Sequence, residues 1–243
     1  MGPDTSPRRT LYGRRQGKKL RLGQQARLGG LLPALRVVLP LRPVVRADGT
    51  IEPLAQKLDV VGLFGPLQPK RIWLEVGFGA GEHLVWQAAA NPDVGLIGCE
   101  PFVNGVARCL AAIEQQAIGN VRIFDDDARL LLAALPAACL DRVFILFPDP
   151  WPKTRHHKRR LVARSTLDRL AVLMRPGAEL RLATDDPGYL AWMVEHACLH
   201  RQFEWLAEGP RDWRQRPADW PPTRYEAKML AGHRPAFLRL RRR

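Results

Sequence analysis

The chain has 243 residues, of which 46% are hydrophobic and 26% are charged, and it carries a formal net charge of +14. This length has room for one sizeable α/β domain and a terminal arm. No apolar run approaches the roughly 20 residues that a membrane-spanning helix needs, and the first residues lack the apolar segment of a signal peptide. Four cysteines without a CxxC pair are typical of a reducing compartment, so we expect a cytoplasmic protein.

The charge is unevenly distributed along the chain. Residues 1–50 contain eleven lysines and arginines against two acids, whereas residues 71–150 contain five arginines against ten acids. The chain after residue 150 is basic again and ends in three arginines. An acidic centre between basic ends favours a small-molecule site beside a surface that binds nucleic acid.

The first predicted segment is a basic arm. Residues 1–30 are rich in glycine, arginine and lysine with weak periodicity, which predicts a mobile arm. Residues 31–69 contain six prolines among short apolar runs, which predicts an irregular segment over the core. We therefore divide the chain into a basic arm and irregular segment, residues 1–69, and a domain formed by residues 70–243.

From Arg71 onward, short apolar runs alternate with helix-length amphipathic segments, the pattern of a parallel sheet flanked by helices. The predicted strands are Ile72–Val76, Gly95–Cys99, Val121–Phe124, Val143–Phe147, Glu179–Ala183 and Ala236–Leu240. The first predicted helix begins near Glu82. The other predicted helices are Val103–Ala117, Ala128–Leu135, Leu161–Met174 and Gly188–Leu199. An α/β fold follows from this alternation.

A glycine-rich turn follows the first predicted strand. Gly77, Gly79 and Gly81 stand where backbone must approach a ligand closely, but Glu82 occupies the position where the dinucleotide fingerprint requires a glycine. The neighbouring carboxylate of Glu75 can face a cationic ligand such as S-adenosylmethionine, which carries an ammonium and a sulfonium group. The alternative is a glycine turn without a ligand.

Acidic residues also follow the second and third predicted strands. Glu100 stands where a carboxylate can accept hydrogen bonds from ribose hydroxyls, or can favour the N-terminus of the next helix. Asp127 can accept from an adenine amino group, or can cap the helix that begins at Ala128. Parallel strand ends meet in one crevice, so these acids and Glu75 are expected to lie close together.

The most specific stretch is FPDPWPKTRHHKRRL, which begins at Phe147. It holds Asp149 between two prolines that stiffen the backbone, and six of the thirteen residues after Trp151 are lysine or arginine. A rigid acid, an aromatic surface and a basic run together indicate a site that binds a base beside a strip that binds phosphates.

These motifs resemble the bacterial tRNA (guanine-N7)-methyltransferase family. The similarity rests on LEVGFGAGEH from Leu74, FPDPWPKTRHHKRRL from Phe147, LATDD from Leu182 and TRYE from Thr223, and it extends over about residues 10–240. It implies a Rossmann-like class I methyltransferase fold with a mostly parallel, seven-stranded sheet and helices on both faces. It also implies methyl transfer from S-adenosylmethionine to the variable-loop guanosine 46 of tRNA.

The resemblance assigns roles to individual residues. Glu75, Glu100, Asp127 and Asp149 would bind the methyl donor together with the three glycines, and Asp149 would also be the catalytic residue. The residues implied to contact the substrate guanosine are Lys153, Asp185, Thr223, Arg224, Tyr225 and Glu226. Those implied to bind RNA are Arg155, His156, His157, Lys158, Arg159 and Arg160.

Two other classes of protein share some of these features. A non-catalytic RNA-binding module would explain the basic ends but not the acidic crevice, and a nicotinamide-dependent oxidoreductase is disfavoured by the interrupted glycine fingerprint. His196 and His200 are spaced for a metal but have no third ligand, so we predict no metal site. We expect a monomer or homodimer with no membrane contact and no obligate protein partner.

Overall fold

The computed structural model describes residues 13–46, 50–221 and 233–243. Within these ranges the chain forms one seven-stranded sheet in the order β3-β2-β1-β4-β5-β7-β6. The strands are β1 (Arg71–Val76), β2 (Val94–Cys99), β3 (Val121–Phe124), β4 (Leu140–Leu146), β5 (Met174–Thr184), β6 (Phe203–Trp205) and β7 (Ala236–Arg242). Strands β1 to β5 pair in parallel, and β7 runs antiparallel to both of its neighbours. The predicted class I methyltransferase fold is thereby confirmed.

The helices occupy the segments between the strands. They are α1 (Leu22–Leu35), α2 (Glu82–Ala90), α3 (Val103–Gln115), α4 (Ala128–Ala134), α5 (Arg164–Leu173), α6 (Pro187–Met193) and α7 (Arg211–Arg214). The prediction of one helix over Gly188–Leu199 was only partly right, because α6 continues as a π-helical turn over Val194–Cys198. Strand β4 ends one residue before the predicted boundary, since Phe147 has a φ of 50° that ends the extended backbone.

Both faces of the sheet are covered by apolar side chains. Along β1, Ile72 and Leu74 point into one buried cluster, whereas Trp73 between them points into the other. The first cluster includes side chains of α4, α5 and α6, and the second includes side chains of α1, α2 and α3. In the described part of the chain, no helix is long and apolar enough to cross a membrane.

The mobile arm predicted for residues 1–30 was wrong from Leu22 onward, where α1 begins. Its apolar stripe consists of Leu28, Leu31, Leu32 and Leu35, which pack in the cluster that also holds α3. Gly29, Gly30 and Pro33 are poor helix formers, and they obscured this stripe in the sequence. Tertiary packing of one apolar face outweighs their low propensity.

The segment after α1 also contributes to the core. Val37, Leu58 and Phe64 are at most 8% exposed and belong to the cluster under α4 and α5. The amide of Val37 donates to the carbonyl of Ile123 at 2.8 Å, beside the edge of β3. The prolines therefore predicted the irregular backbone of much of this segment but not its burial. The division of the chain at residue 69 stays a prediction.

Candidate active site

A cleft of about 480 Å³ opens at the carboxyl ends of the central parallel strands. The order β3-β2-β1-β4 brings the loops after these strands to one edge of the sheet, where open α/β folds bind ligands. Five of the predicted donor-binding residues line this cleft, namely Gly77, Gly79, Glu100, Asp127 and Asp149. The structure therefore brings these residues together in one cleft, and their binding of a methyl donor stays a prediction.

The glycines after β1 have two different purposes. Gly77, Gly79 and Gly81 have φ values of 79°, 57° and 82°, a region that residues with a side chain rarely adopt. A Cβ at Gly77 would meet no atom within 4 Å, so bare backbone faces open space there. A Cβ at Gly81 would lie 2.4 Å from Sγ of Cys109. Gly81 therefore lets α2 pack closely on α3, while Gly77 leaves the cleft open.

Glu100 connects the glycine turn to the start of α3. Its Oε2 accepts a hydrogen bond from the amide of Gly79 at 2.8 Å, and its Oε1 accepts from the amide of Phe102 at 2.9 Å. Burial raises the pKa of Glu100, whereas the two backbone N–H groups oppose that rise. Each carboxylate oxygen keeps a further lone pair, so Glu100 can hold the loop and also accept from ligand hydroxyls.

Glu75 lies beneath the glycine turn. It is 3% exposed, and its Oε2 lies 2.7 Å from Nδ1 of His83, which is equally buried. Glu75 is not among the residues that line the cleft, although its charge contributes to the raised pKa of Glu100. The carboxylate is therefore near the site, and its direct contact with a methyl donor stays a prediction.

Asp127 both caps α4 and lines the cleft. Its Oδ1 accepts from the amide of Arg129 at 3.0 Å, so the capping role that the sequence left open is confirmed. The guanidinium of Arg129 also binds the same carboxylate, with Nε 3.1 Å from each oxygen. The carboxylate is therefore already bonded to Arg129, and its contact with an adenine amino group stays a prediction.

Asp149 stands on a loop with an unusual backbone. The side chain is exposed at the cleft, and no hydrogen bond or ion pair occupies its carboxylate within the ranges that the structure describes. Phe147 and Trp151, on either side, have φ values of 50° and 43° although neither is a glycine. Backbone of this kind costs about 1–3 kcal/mol per residue and is concentrated at functional sites. The surrounding contacts must therefore hold the loop in place.

Arg160 supplies one of those contacts. Its Nε donates to the carbonyl of Pro150 at 2.8 Å, and its guanidinium lies 5.0 Å and 4.9 Å from the ring centres of Tyr189 and Trp192. Only 5% of Arg160 is exposed. Arg160 therefore points inward and holds the loop that carries Asp149, and its contact with RNA stays a prediction for a side chain that is almost fully buried.

The other predicted RNA-binding residues form a turn at the surface. Thr154–Arg159 is a 3₁₀-helical segment in which Arg155 and Lys158 are exposed, and Lys153 is exposed just before it. None of these three cations forms a salt bridge with an acid of the described residues. Lys158 also lines the cleft. Free positive charge therefore lies beside the loop of Asp149.

Aromatic contacts hold this turn on the protein. The ring of His156 meets Trp151 edge to face at 5.9 Å, and the guanidinium of Arg159 lies 5.0 Å from the centre of the same ring. The ring of His157 meets Trp192 at 5.4 Å. His156, His157 and Arg159 stay candidates for RNA binding. One side of each group already packs against a tryptophan ring.

The predicted guanosine-binding residues are spread more widely. Asp185 directly follows β5 and is half-buried, but it is not among the residues that line the cleft. Lys153 does not line it either. Thr223, Arg224, Tyr225 and Glu226 lie outside the described residues. The assignment of the guanosine site therefore stays a prediction.

An N-terminal strap, residues 13–18, closes one side of the cleft, and the sequence did not predict it. Gly13 and Arg14 line the cleft. The amide of Gly17 donates to Oδ1 of Asn104 at 2.7 Å, and the carbonyl of Arg15 accepts from the amide at the start of α3 at 2.9 Å. These contacts join residues almost 90 positions apart, so no local pattern announces them.

The chain was compared with known proteins. A family model described as "Putative methyltransferase" matches residues 69–238. The tRNA (guanine-N(7)-)-methyltransferase of Rhodospirillum rubrum is 51% identical over 234 residues, which cover 96% of this chain and 88% of the relative. The protein of the same name from Paramagnetospirillum magneticum is 47% identical over 243 residues, which cover 100% of this chain and 96% of the relative.

Proposed function

The chain belongs to the tRNA (guanine-N7)-methyltransferase family, and on that premise we propose that it transfers a methyl group from S-adenosylmethionine to N7 of guanosine 46 in tRNA. The observation that carries the proposal is that the glycine turn, Glu100 and Asp149 line one cleft beside exposed cations. The alternatives of a non-catalytic RNA-binding module and a nicotinamide-dependent oxidoreductase are set aside by this membership.

The residues of the cleft fit a cationic methyl donor with a ribose. Glu100 and Asp149 present carboxylates, and the open backbone at Gly77 leaves room for a ligand to approach. In the proposed arrangement Glu100 accepts from the ribose hydroxyls, and Asp127 accepts from the adenine amino group. When bound, S-adenosylmethionine would supply a methyl group on a sulfonium centre, and loss of that methyl group would leave S-adenosylhomocysteine.

The acceptor atom requires no general base. Guanine N7 has a lone pair and no proton, so the bond from N7 to carbon forms as the bond from carbon to sulfur breaks, and its electron pair stays on sulfur. Catalysis then depends on positioning and on electrostatic stabilisation of the base, which becomes positively charged. Asp149 is suited to this task because its carboxylate is free within the described residues and its backbone is rigidly held.

The remaining assignments follow from the same proposal. Asp185 would accept hydrogen bonds from the N1–H and amino group of guanine, which distinguishes guanine from adenine. Lys153, Arg155 and Lys158 would bind tRNA phosphates through charge. Cytoplasmic location, oligomeric state and independence from protein partners stay predictions.

The test is transfer of labelled methyl groups to unmodified tRNA, followed by chain cleavage at N7-methylguanosine. We expect label at the variable-loop guanosine only, and a roughly 10²- to 10³-fold lower rate for Asp149→Ala, the loss typical of a group that stabilises transition-state charge. The matched control is Asp93→Ala, which removes an exposed carboxylate paired with Arg71 at the opposite end of the sheet. Label at another base, or equal rates for the two variants, would contradict the proposal.

A further inference from the structure

A chain of buried polar side chains runs from β1 through α2 to the loop before Trp220. Glu75, His83 and Gln87 are 3%, 3% and 1% exposed. Nδ1 of His83 lies 2.7 Å from Oε2 of Glu75, and Nε2 of His83 lies 3.2 Å from Nε2 of Gln87. The amide nitrogen of Gln87 also donates to the carbonyl oxygen of Asp219 at 2.8 Å.

The chemistry of the three groups fixes the direction of these hydrogen bonds. A carboxylate can only accept, and an amide nitrogen can only donate. His83 therefore donates from Nδ1 to Glu75 and accepts at Nε2 from Gln87. The two hydrogens of the Gln87 amide are then used by His83 and by the Asp219 carbonyl. We call Glu75, His83, Gln87 and the carbonyl of Asp219 the polar relay. Each of these groups is the hydrogen-bond partner of the next one.

The far end of the relay is held on the sheet. The carboxylate of Asp219 accepts from the guanidinium of Arg181 in β5 at 2.8 Å, and Arg181 is 2% exposed. Trp220 is 2% exposed, and its ring lies 5.7 Å from that of His83 and 5.3 Å from that of Phe237 in β7. Residues 219 and 220 are thus fixed by charge, by packing and by the relay.

Burying three polar groups in this place is costly unless each one is hydrogen-bonded, and apolar side chains of similar size would fill the same volume. A fully satisfied polar relay specifies one relative position of the elements it joins. At one end it joins Glu75, two residues before the cleft-lining Gly77. At the other end it joins Asp219, four residues before the Thr223 that begins the predicted guanosine-binding motif.

We propose that Glu75, His83 and Gln87 are positioning residues, which fix the glycine turn of the methyl-donor cleft relative to the chain that leads into the guanosine-binding motif. This inference rests on the proposed function. It gives Glu75 a role that does not require contact with the methyl donor. It also predicts that breaking the relay impairs the use of tRNA more than the binding of the donor.

The experiment replaces Gln87 with methionine, which keeps the volume and removes the two hydrogen bonds that its amide nitrogen donates, together with the 3.4 Å contact from Nδ2 of Asn91 to its Oε1. We expect kcat/KM for tRNA to fall about tenfold, the loss typical of a small misplacement of reacting groups, while the Kd for S-adenosylhomocysteine changes less than about twofold. The matched control is Asn120→Ala. Asn120 is 6% exposed, and its amide donates to the carbonyls of Ala88, Asn91 and Val94, away from the cleft.

A merely structural role would lower the melting temperature of both variants and leave kcat/KM at a permissive temperature unchanged in both, which would overturn the inference. Equal losses of donor affinity and of kcat/KM for tRNA would also overturn it, because the relay would then serve the donor site alone. Asp219→Asn provides a second variant in case Gln87→Met does not fold. This change removes the negative charge that Asp219 presents to Arg181. Because the Asp219 side chain is half-exposed, we expect a smaller fall in kcat/KM for tRNA than for Gln87→Met.

The wild-type protein separates this inference from the proposed function. If the wild type does not methylate tRNA, the proposed function fails. If the wild type methylates tRNA and Gln87→Met does so with the same kcat/KM, only the inference fails.

Discussion

Individual cations of the two basic stretches differ in whether an acid of the chain neutralises them, and the N-terminal stretch also contains exposed cations without a salt bridge in the described ranges, namely Arg14, Lys18 and Lys19. In the N-terminal stretch, Arg15, Arg27 and Arg36 pair with acids of the same chain, at 3.5, 2.7 and 2.8 Å. In the run after Asp149, Lys153, Arg155 and Lys158 are exposed and form no salt bridge within the described ranges. Positive charge in a sequence is therefore available to bind RNA phosphates only where no acid of the protein neutralises it.

The comparison also applies within the second run. Lys158 and Arg160 are two residues apart and both cationic, yet Lys158 is exposed and Arg160 is 5% exposed. Arg160 donates to the carbonyl of Pro150, which directly follows Asp149. Lys158 therefore stays a candidate for RNA binding, whereas Arg160 holds the loop that carries Asp149.

The largest effect on the comparison between Lys158 and Arg160 is expected from Arg160→Met. This change removes the hydrogen bond to the carbonyl of Pro150 and keeps an apolar side chain over Tyr189. We expect kcat at saturating tRNA to fall roughly 10- to 100-fold, because a misplacement of about 1 Å near reacting groups has that cost. The dependence of tRNA affinity on salt should be unchanged. A flatter salt dependence with a normal kcat would show instead that Arg160 binds phosphate.

A smaller effect is expected from the exposed cations. Lys158→Gln and Arg155→Gln should each make the plot of log affinity against log salt shallower by about 0.7–0.9, since each removes one phosphate contact and its released counterion. Arg36→Gln is the matched control, because its charge is already paired with Asp125. Equal changes in slope for the three variants, measured by tRNA binding at several salt concentrations, would remove the distinction between the two stretches.

Sequence patterns predicted the parts of the fold that depend on local signals. Alternating apolar runs located β1 to β4, and the glycines and acids at their ends located the cleft. Helix α1 was missed because Gly29, Gly30 and Pro33 argue locally against a helix that long-range packing stabilises. The direction of the Arg160 side chain was missed for a related reason, since it depends on Tyr189 and Trp192 of a distant helix.

The remaining gaps are also long-range. The residues of the N-terminal strap, 13–18, resemble any basic arm until their contacts with Asn104 are seen. The relay through His83 and Gln87 lies on one face of α2 at a spacing that equally suits ordinary core packing. A sequence alone contains no signal for which buried polar side chain meets which partner.

The most direct test of the account is a crystal structure of the protein with S-adenosylhomocysteine, at a resolution that orients the ligand. The account predicts that the ligand occupies the cleft after β1, with its ribose on Glu100, its adenine beside Asp127 and its sulfur facing the loop of Asp149. A ligand bound outside this cleft, or a sulfur directed away from Asp149, would contradict the proposed site.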